Sequence, residues 1–157
     1  MISRSGFIAS LLASGLIAFA PAAHADDPIK DIIDHKVPAL KDGTRIALPD
    51  VEKALLAALA RRSFDATVAA PGLITAKFSH GKHVIEVTLT YTEDTYSVRY
   101  LDSKFMDYTQ QKQRIDDAYN EWLEGLEEHI QAQLAIALKR VKVAQKEAKK
   151  AANVVSN

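Results

Sequence analysis

The sequence predicts an α+β domain, a two-layer sandwich in which a four-stranded antiparallel meander is covered on one face by two helices. Three observations lead to this prediction. Apolar and polar residues alternate through residues 64–101, an amphipathic helical pattern precedes that segment, and a longer helical pattern follows it. Because the alternation leaves one sheet face apolar, that face needs a covering layer of helices. We therefore predict an α-β-β-β-β-α domain over residues 46–138.

The first 25 residues have the order of charge and hydropathy typical of a secretory signal peptide. Arg4 precedes an apolar run of 14 residues at positions 7–20, and Ala23-His24-Ala25 fits the small-x-small rule of signal peptidase. The run is shorter than the about 20 apolar residues that cross a bilayer. We expect cleavage after Ala25, a secreted or periplasmic protein of the cell envelope, and no transmembrane helix after signal cleavage.

The chain contains no cysteine, which excludes disulfides and an acyl lipid anchor on a cysteine. After cleavage about 132 residues remain, enough for one hydrophobic core of ordinary size. The formal net charge is zero, but the charges are unevenly distributed. Residues 26–138 hold 13 basic and 19 acidic residues, whereas residues 139–157 hold six basic residues and one acidic residue. The sequence thus predicts an acidic body and a basic C-terminal tail.

The N-terminal segment, residues 26–45, has mixed character. Ile29, Ile32 and Ile33 lie at helical spacing, which predicts one short helix that ends before Pro38.

A second helix is predicted over residues 49–62. Pro49 and Asp50 suit its first turn, where a missing N–H costs nothing and a negative charge meets the positive end of the helix dipole. Its apolar stripe consists of Val51, Leu55, Ala58 and Leu59.

Two turns set the register of the predicted sheet. Gly81-Lys82 suits a two-residue turn with glycine first, and Glu93-Asp94 connects the next pair of strands in the same way. The first strand, residues 64–68, is connected to the next strand by Ala70-Pro71-Gly72. For its apolar side chains to lie on the same face, this loop needs an odd number of residues or a bulge. The predicted pairs on that face are His80 with His83, Phe78 with Ile85, Ala76 with Val87, Ile74 with Leu89, Tyr91 with Tyr96, Leu89 with Val98 and Val87 with Tyr100.

A long helix is predicted from about Gln113. Asp116 and Asp117 suit its first turn, and continuation to about Lys150 gives a length of roughly 55 Å. A body of this size is about 35 Å across, so the basic end should project or fray. The predicted apolar stripe consists of Ile115, Tyr119, Trp122, Leu126, Ile130, Leu134 and Val141.

Several motifs match at once a known family pattern over about residues 44–134. They are Pro71-Gly72-x-Ile74-x-Ala76, His83-x-x-x-Val87-x-Leu89-x-Tyr91, Tyr96-Ser97-Val98-x-Tyr100-x-Asp102-Ser103 and Tyr119-Asn120-x-Trp122-x-x-x-Leu126. With them the chain resembles a family of small uncharacterised envelope proteins and lipoproteins of Gram-negative bacteria. The chain departs from that family in lacking the lipobox cysteine of many relatives, in having Phe64 where tryptophan is common, and in its basic tail. The resemblance implies an envelope location and a two-layer fold, but no activity.

His80 and His83 face each other across the predicted turn, within reach of one metal ion. Imidazole pairs suit copper, nickel or zinc, although a stable zinc site usually takes three or four protein ligands. The nearest acid, Glu86, points to the opposite face. The alternative is a pair of partly exposed histidines at a hairpin tip.

Two other constellations have ordinary structural explanations. The aromatic side chains that project from the sheet and the last helix could line a ligand pocket, but such residues are more often core. Asp102-Ser103 together with His129 could suggest nucleophilic catalysis, but no strained turn surrounds the serine. The aromatic candidates are Tyr91, Tyr96, Tyr100, Tyr119 and Trp122.

The basic tail is the sharpest surface feature of the sequence. Its cations recur at helical intervals with Val141, Val143 and Ala144 between them, which favours contact with an anionic membrane surface, lipopolysaccharide or an acidic partner. The alternative is a solubilising end. The basic residues are Lys139, Arg140, Lys142, Lys146, Lys149 and Lys150.

Together these patterns predict a non-catalytic envelope protein, an interaction or adaptor module without a cofactor, whose tail contacts an envelope protein or an anionic surface. Export disfavours nucleic acid as a partner. The alternative function is a periplasmic protein that binds a small ligand or a metal.

Overall fold

The computed structural model describes residues 26–155, which form two antiparallel sheets and two helices. The predicted signal peptide, residues 1–25, lies outside the described residues. The elements in chain order are β1 (Asp26–Pro28), β2 (Ile32–Lys36), α1 (Leu48–Arg61), β3 (Asp65–Ala70), β4 (Leu73–His80), β5 (His83–Tyr91), β6 (Thr95–Lys104), β7 (Arg114–Asp116) and α2 (Ala118–Val155).

The main sheet has the strand order β2-β6-β5-β4-β3, with every pair antiparallel. The α+β class, the antiparallel sheet and the long C-terminal helix are thus confirmed. The prediction of a four-stranded sheet was wrong, because β2 adds a fifth strand beside β6.

The two predicted turns produce the expected register. His80 pairs with His83 across one turn, and Tyr91 pairs with Tyr96 across the other. The remaining pairs also agree: Phe78 with Ile85, Ala76 with Val87, Ile74 with Leu89, Leu89 with Val98 and Val87 with Tyr100. The sequence left open a loop with an odd number of residues or a bulge before β4, and the structure has a register shift between Val68 and Ala70.

The N-terminal segment is not helical as predicted. Ile32 pairs with Val98 of β6 and is buried, whereas Ile33 remains 41% exposed. Asp34 has a φ of 52° and lies where the register of β2 shifts. Ile32 and Ile33 are neighbours in an extended strand, so their side chains point to opposite faces and only Ile32 reaches the core.

The last helix begins later than predicted. Ile115 lies in β7 rather than in a helix, because Asp26, Asp27 and Pro28 of β1 pair with this segment. Gln113 has a φ of 49°, a left-handed conformation that no α-helix accommodates. At the observed start of α2, the Asp116 carboxylate accepts a hydrogen bond from Ala118 N at 3.0 Å.

Both helices pack on the same face of the main sheet, and the core lies between the two layers. Phe78 of β4 meets Trp122 of α2 edge to face at 5.0 Å between ring centroids, and Tyr100 of β6 meets Tyr119 at 5.7 Å. The fully buried aliphatic side chains come from both layers: Leu55, Leu59, Ile74, Ile85, Leu89, Val98, Leu126 and Ile130.

The beginning of α2 also holds the N-terminal segment. The Asn120 side chain accepts a hydrogen bond from Lys30 N and donates one to the Pro28 carbonyl, both at 3.0 Å. The Tyr119 hydroxyl donates to the Asp31 carboxylate at 3.2 Å. The N-terminal segment is therefore joined to the body by strand pairing and by side-chain hydrogen bonds.

Candidate functional site

The basic tail continues α2 without a break. With 38 residues, α2 is about 57 Å long. Leu138 and Val141 are partly buried against the core, so the first turn of the tail still packs on the body. All six basic side chains of the tail, which the sequence analysis singled out, are exposed: Lys139, Arg140, Lys142, Lys146, Lys149 and Lys150.

One polar contact marks the point at which the tail leaves the body. Gln145 donates hydrogen bonds from its amide nitrogen to the Asp42 carboxylate at 2.7 Å and to the Thr44 hydroxyl at 3.2 Å. The hydrogen bond from Gln145, helped by Thr44 and by the positive charge of Lys149, lowers the pKa of Asp42 to about 2. The ten helical residues after Gln145 extend about 15 Å further.

Beside the tail, two shallow clefts run along its apolar positions. A cleft of about 300 Å³ lies between α1 and α2, with Asp50 and Lys53 at its rim and Ile136 and Ala144 in its wall. A second cleft of about 450 Å³ follows Ile136 and Val143 further along α2. Ile136 is 43% exposed and Val143 48% exposed, so the helix carries an uncovered apolar strip at this point.

An acidic cleft of about 510 Å³ lies at the other end of α2, and the sequence analysis did not identify it. Glu127 makes an ion-pair contact there with His35 of β2. The carboxylates come from the N-terminal segment and from the beginning of α2, which are about 90 residues apart in the sequence. No local sequence motif therefore predicts this cleft. The acidic residues of this cleft are Asp27, Asp31, Asp117, Glu121, Glu124 and Glu127.

His80 and His83 lie at the tip of the β4–β5 hairpin, as direct partners across the turn. The His80 ring lies 6.1 Å from the Trp122 ring and 6.5 Å from the Phe78 ring, between centroids. His83 is partly buried, and its Nδ1 has no hydrogen-bond partner among the described residues. No group of three or more potential metal ligands occurs within residues 26–155, so a metal ion at this tip would have two histidines as its protein ligands.

The tyrosines of the proposed ligand pocket are largely packed in the core. Tyr91, Tyr96 and Tyr119 are each at most 4% exposed. Burial, supported by the neighbouring Glu52, raises the pKa of Tyr91 to about 12. Burial also raises the pKa of Tyr96 to about 12, and it raises the pKa of Tyr119 further. These phenols are therefore neutral, buried groups. The Tyr91 hydroxyl donates to Glu52 and the Tyr119 hydroxyl to Asp31, whereas the buried Tyr96 hydroxyl has no hydrogen-bond partner among the described residues.

The residues considered for nucleophilic catalysis have other partners. The Ser103 hydroxyl forms a hydrogen bond with the Tyr100 hydroxyl at 2.9 Å. His129 Nδ1 contacts the carbonyl of Gly125, one turn earlier in α2, at 2.9 Å. A general base must reach the proton that it takes, and this histidine is directed along its own helix instead.

No helix in residues 26–155 is both long enough and apolar enough to span a membrane. Comparison of the chain with protein-family models, curated proteins and solved structures returned no match.

Proposed function

We propose that this is a non-catalytic protein of the bacterial cell envelope, an interaction module whose basic tail contacts anionic surfaces. One observation carries the proposal. The tail is a continuous helix that presents six exposed cations, and its last part lies beyond the contact that Gln145 makes with the body. The signal-like residues 1–25 and the resemblance to envelope proteins support the location.

The chemistry of the tail favours electrostatic contact over insertion. Val143 and Val154 are the large apolar side chains exposed on the described part of the tail, and neither is aromatic. Each lysine or arginine near an anionic membrane contributes about 1 kcal/mol. Because exposed charges are screened within about 10 Å at 0.1 M salt, this contact should weaken as salt rises.

The alternative function, binding of a small ligand or a metal, has weaker support. A ligand pocket would need space among tyrosines that pack in the core, and the hairpin tip offers two histidines for a metal. Titration of the protein with Cu(II) or Zn(II) tests the second possibility. A metal dissociation constant below tens of micromolar, together with loss of binding in His80→Ala, would support a metal-binding function.

The proposed function is tested by co-sedimentation of the chain from Asp26 with vesicles across a salt series. The test variant carries Lys146→Gln, Lys149→Gln and Lys150→Gln, all beyond Gln145, so that the packing of α2 on the body is preserved. The matched control carries Lys82→Gln, Lys104→Gln and Lys112→Gln, which remove the same charge from exposed positions of the body.

We expect the unmodified protein to bind anionic vesicles, to ignore neutral ones and to dissociate at high salt. The tail variant should bind about 100-fold more weakly, because it lacks three surface cations, while the body control should bind nearly as well as the unmodified protein. Equal loss in both variants, or no binding to anionic vesicles at low salt, would contradict the proposal.

A further inference from the structure

One side of α2 faces away from the sheet and is exposed from Glu121 to Lys150, and Ile136 lies at its border with the cleft beside α1. We call this side the outer face. Its residues change character in order along the helix, from acidic to small and apolar and then to basic. They are Glu121, Glu124, Glu128, Ala132, Ala135, Ile136, Lys139, Lys142, Val143, Lys146 and Lys150, and all are exposed.

This order makes the outer face complementary to itself in the antiparallel direction. If two copies of α2 run antiparallel and cross at Ala135, Glu128 of one copy faces Lys142 of the other. In the same register, Glu124 faces Lys146. Glu121 then lies opposite residues 149–150, within one residue of Lys150. A shift of one residue is only 1.5 Å along a helix, which lysine side chains readily span.

We propose that the protein forms a homodimer in which the outer faces of two α2 helices pair antiparallel about a two-fold axis. A two-fold interface uses the same patch on both subunits, so each acid-to-base match occurs twice. A parallel arrangement would place Glu against Glu and Lys against Lys, which is unfavourable. The proposal goes beyond the contact with anionic surfaces, since it supplies an acidic partner from a second copy of the chain.

The middle of the outer face suits close helix packing. Ala132 and Ala135 are small, so a facing helix can approach within the usual 8–10 Å between axes. Ile136 and Val143, now 43% and 48% exposed, would be covered by the second copy. Removal of such apolar surface from water stabilises association, while the charged ends select the direction.

The rest of the fold leaves room for this pairing. The sheet packs on the opposite side of α2, where Leu123, Leu126 and Ile130 are buried. The two bodies would therefore lie on opposite sides of the helix pair. Arg140 and Lys149 lie on the flanks of the outer face and stay available to an anionic surface.

The test is the mass of the chain from Asp26 in solution, measured by sedimentation equilibrium at low and at high salt. One variant reverses the acidic end with Glu121→Lys, Glu124→Lys and Glu128→Lys. A second reverses the basic end with Lys142→Glu, Lys146→Glu and Lys150→Glu. A control reverses body charges with Lys82→Glu, Lys104→Glu and Lys112→Glu. Circular dichroism confirms that each variant is folded.

We expect the unmodified chain and the body control to dimerise, and each end-reversed variant to dimerise at least 100-fold more weakly. An equimolar mixture of the two end-reversed variants should form a heterodimer, because an all-basic outer face then meets an all-acidic one. The chain that carries both reversals should regain the homodimer, since the charge order is inverted as a whole.

A monomeric unmodified chain at low salt and high concentration would overturn the proposal, as would end-reversed variants that still dimerise. Failure of the mixture or of the doubly reversed chain to associate would equally overturn it. The oligomeric state and vesicle binding are measured separately. A dimer that does not bind anionic vesicles would contradict only the proposed membrane contact. A monomer that binds them would contradict only the dimer.

Discussion

The two halves of α2 have the same backbone conformation for different reasons. In the first half, the side chains of Tyr119, Leu123, Leu126, Ile130 and Leu134 are buried under the sheet. In residues 142–154, none of the described side chains is buried, and the Gln145 side chain ties the helix to the body through hydrogen bonds to Asp42 and Thr44.

The difference shows which forces maintain each half. The first half is fixed by tertiary packing, and its sequence includes Gly125, Tyr119 and Trp122, whose helix propensity is lower than that of alanine. The second half consists largely of alanine, lysine, glutamine and glutamate, which have high helix propensity. An isolated helix of this length is marginal in water, so the second half depends on continuing the first.

The largest expected effect comes from removing packing in the first half. Leu126→Ala should lower the free energy of unfolding by about 2–5 kcal/mol, because it leaves a cavity beneath the sheet. Val154→Ala, a truncation at an exposed position of the second half, should change it by less than about 0.5 kcal/mol. Urea unfolding measures both values. Similar costs at the two positions would show that the tail packs on the body more than the structure indicates.

A smaller loss is expected when one polar contact of the first half is removed. Tyr119→Phe keeps the ring but deletes the hydroxyl that donates to Asp31, which should cost about 1–2 kcal/mol. Tyr108→Phe is the control, because its hydroxyl accepts from Gln113 at an exposed position, and should cost less than about 0.5 kcal/mol. A neutral Tyr119→Phe would mean that water replaces the phenol at Asp31.

Gly125 allows the Arg62 side chain to approach the first half of α2 closely, and a methyl group at this position would disturb that contact. A Cβ at this position would lie 2.8 Å from the Arg62 guanidinium. Gly125→Ala should stabilise the helix by about 1 kcal/mol through its higher helix propensity, but it should also displace Arg62. We therefore expect the free energy of unfolding to change by less than about 0.5 kcal/mol. In an Arg62→Ala background the same substitution should stabilise by the full amount. Equal effects in both backgrounds would show that Arg62 moves freely.

The smallest effect concerns the contact that ends the packed part of the tail. Gln145→Ala should raise the pKa of Asp42 from about 2 toward the ordinary aspartate value near 3.9. Because folding lowers this pKa, the carboxylate stabilises the protein above about pH 4, and this contribution disappears as pH falls toward 2. NMR titration of Asp42 measures the shift. An unchanged pKa would assign the effect to Thr44 instead.

The hairpins were predictable because their determinants are local. A two-residue turn fixes the register of both strands, and a period of two then assigns each side chain to a face. The pairs from His80–His83 to Tyr91–Tyr96 follow from residues close in sequence. The need for an odd loop length or a bulge before β4 was predictable for the same reason, since the faces of neighbouring strands must agree, but the choice of a bulge was not.

The N-terminal segment was not predictable from its own residues. Ile29, Ile32 and Ile33 fit a short helix as well as a strand, and the choice depends on β6, whose free edge lies more than 60 residues away. The same holds for the start of α2, where Ile115 pairs with β1 instead of joining the helix. The secondary structure of such short segments depends on the hydrogen-bond partners that the rest of the fold provides.

The candidate surfaces show the same division. The basic tail can be recognised in the sequence because its lysines lie on successive turns of one helix. The acidic cleft is not, because Asp27 and Asp31 meet Glu121, Glu124 and Glu127 only after the N-terminal segment pairs with the sheet. The outer face required the structure as well, since burial shows which side of α2 remains uncovered.

Local sequence patterns were enough to predict the α+β class, the register of the hairpins, the first helix and the split into an acidic body and a basic tail. These features depend on periodicity, turn chemistry and charge, which act between near neighbours. The fold as a whole is responsible for the fifth strand, the start of α2, the acidic cleft and the exposed side of the last helix. Those features depend on contacts between distant segments, which form only when burial of the core brings the segments together.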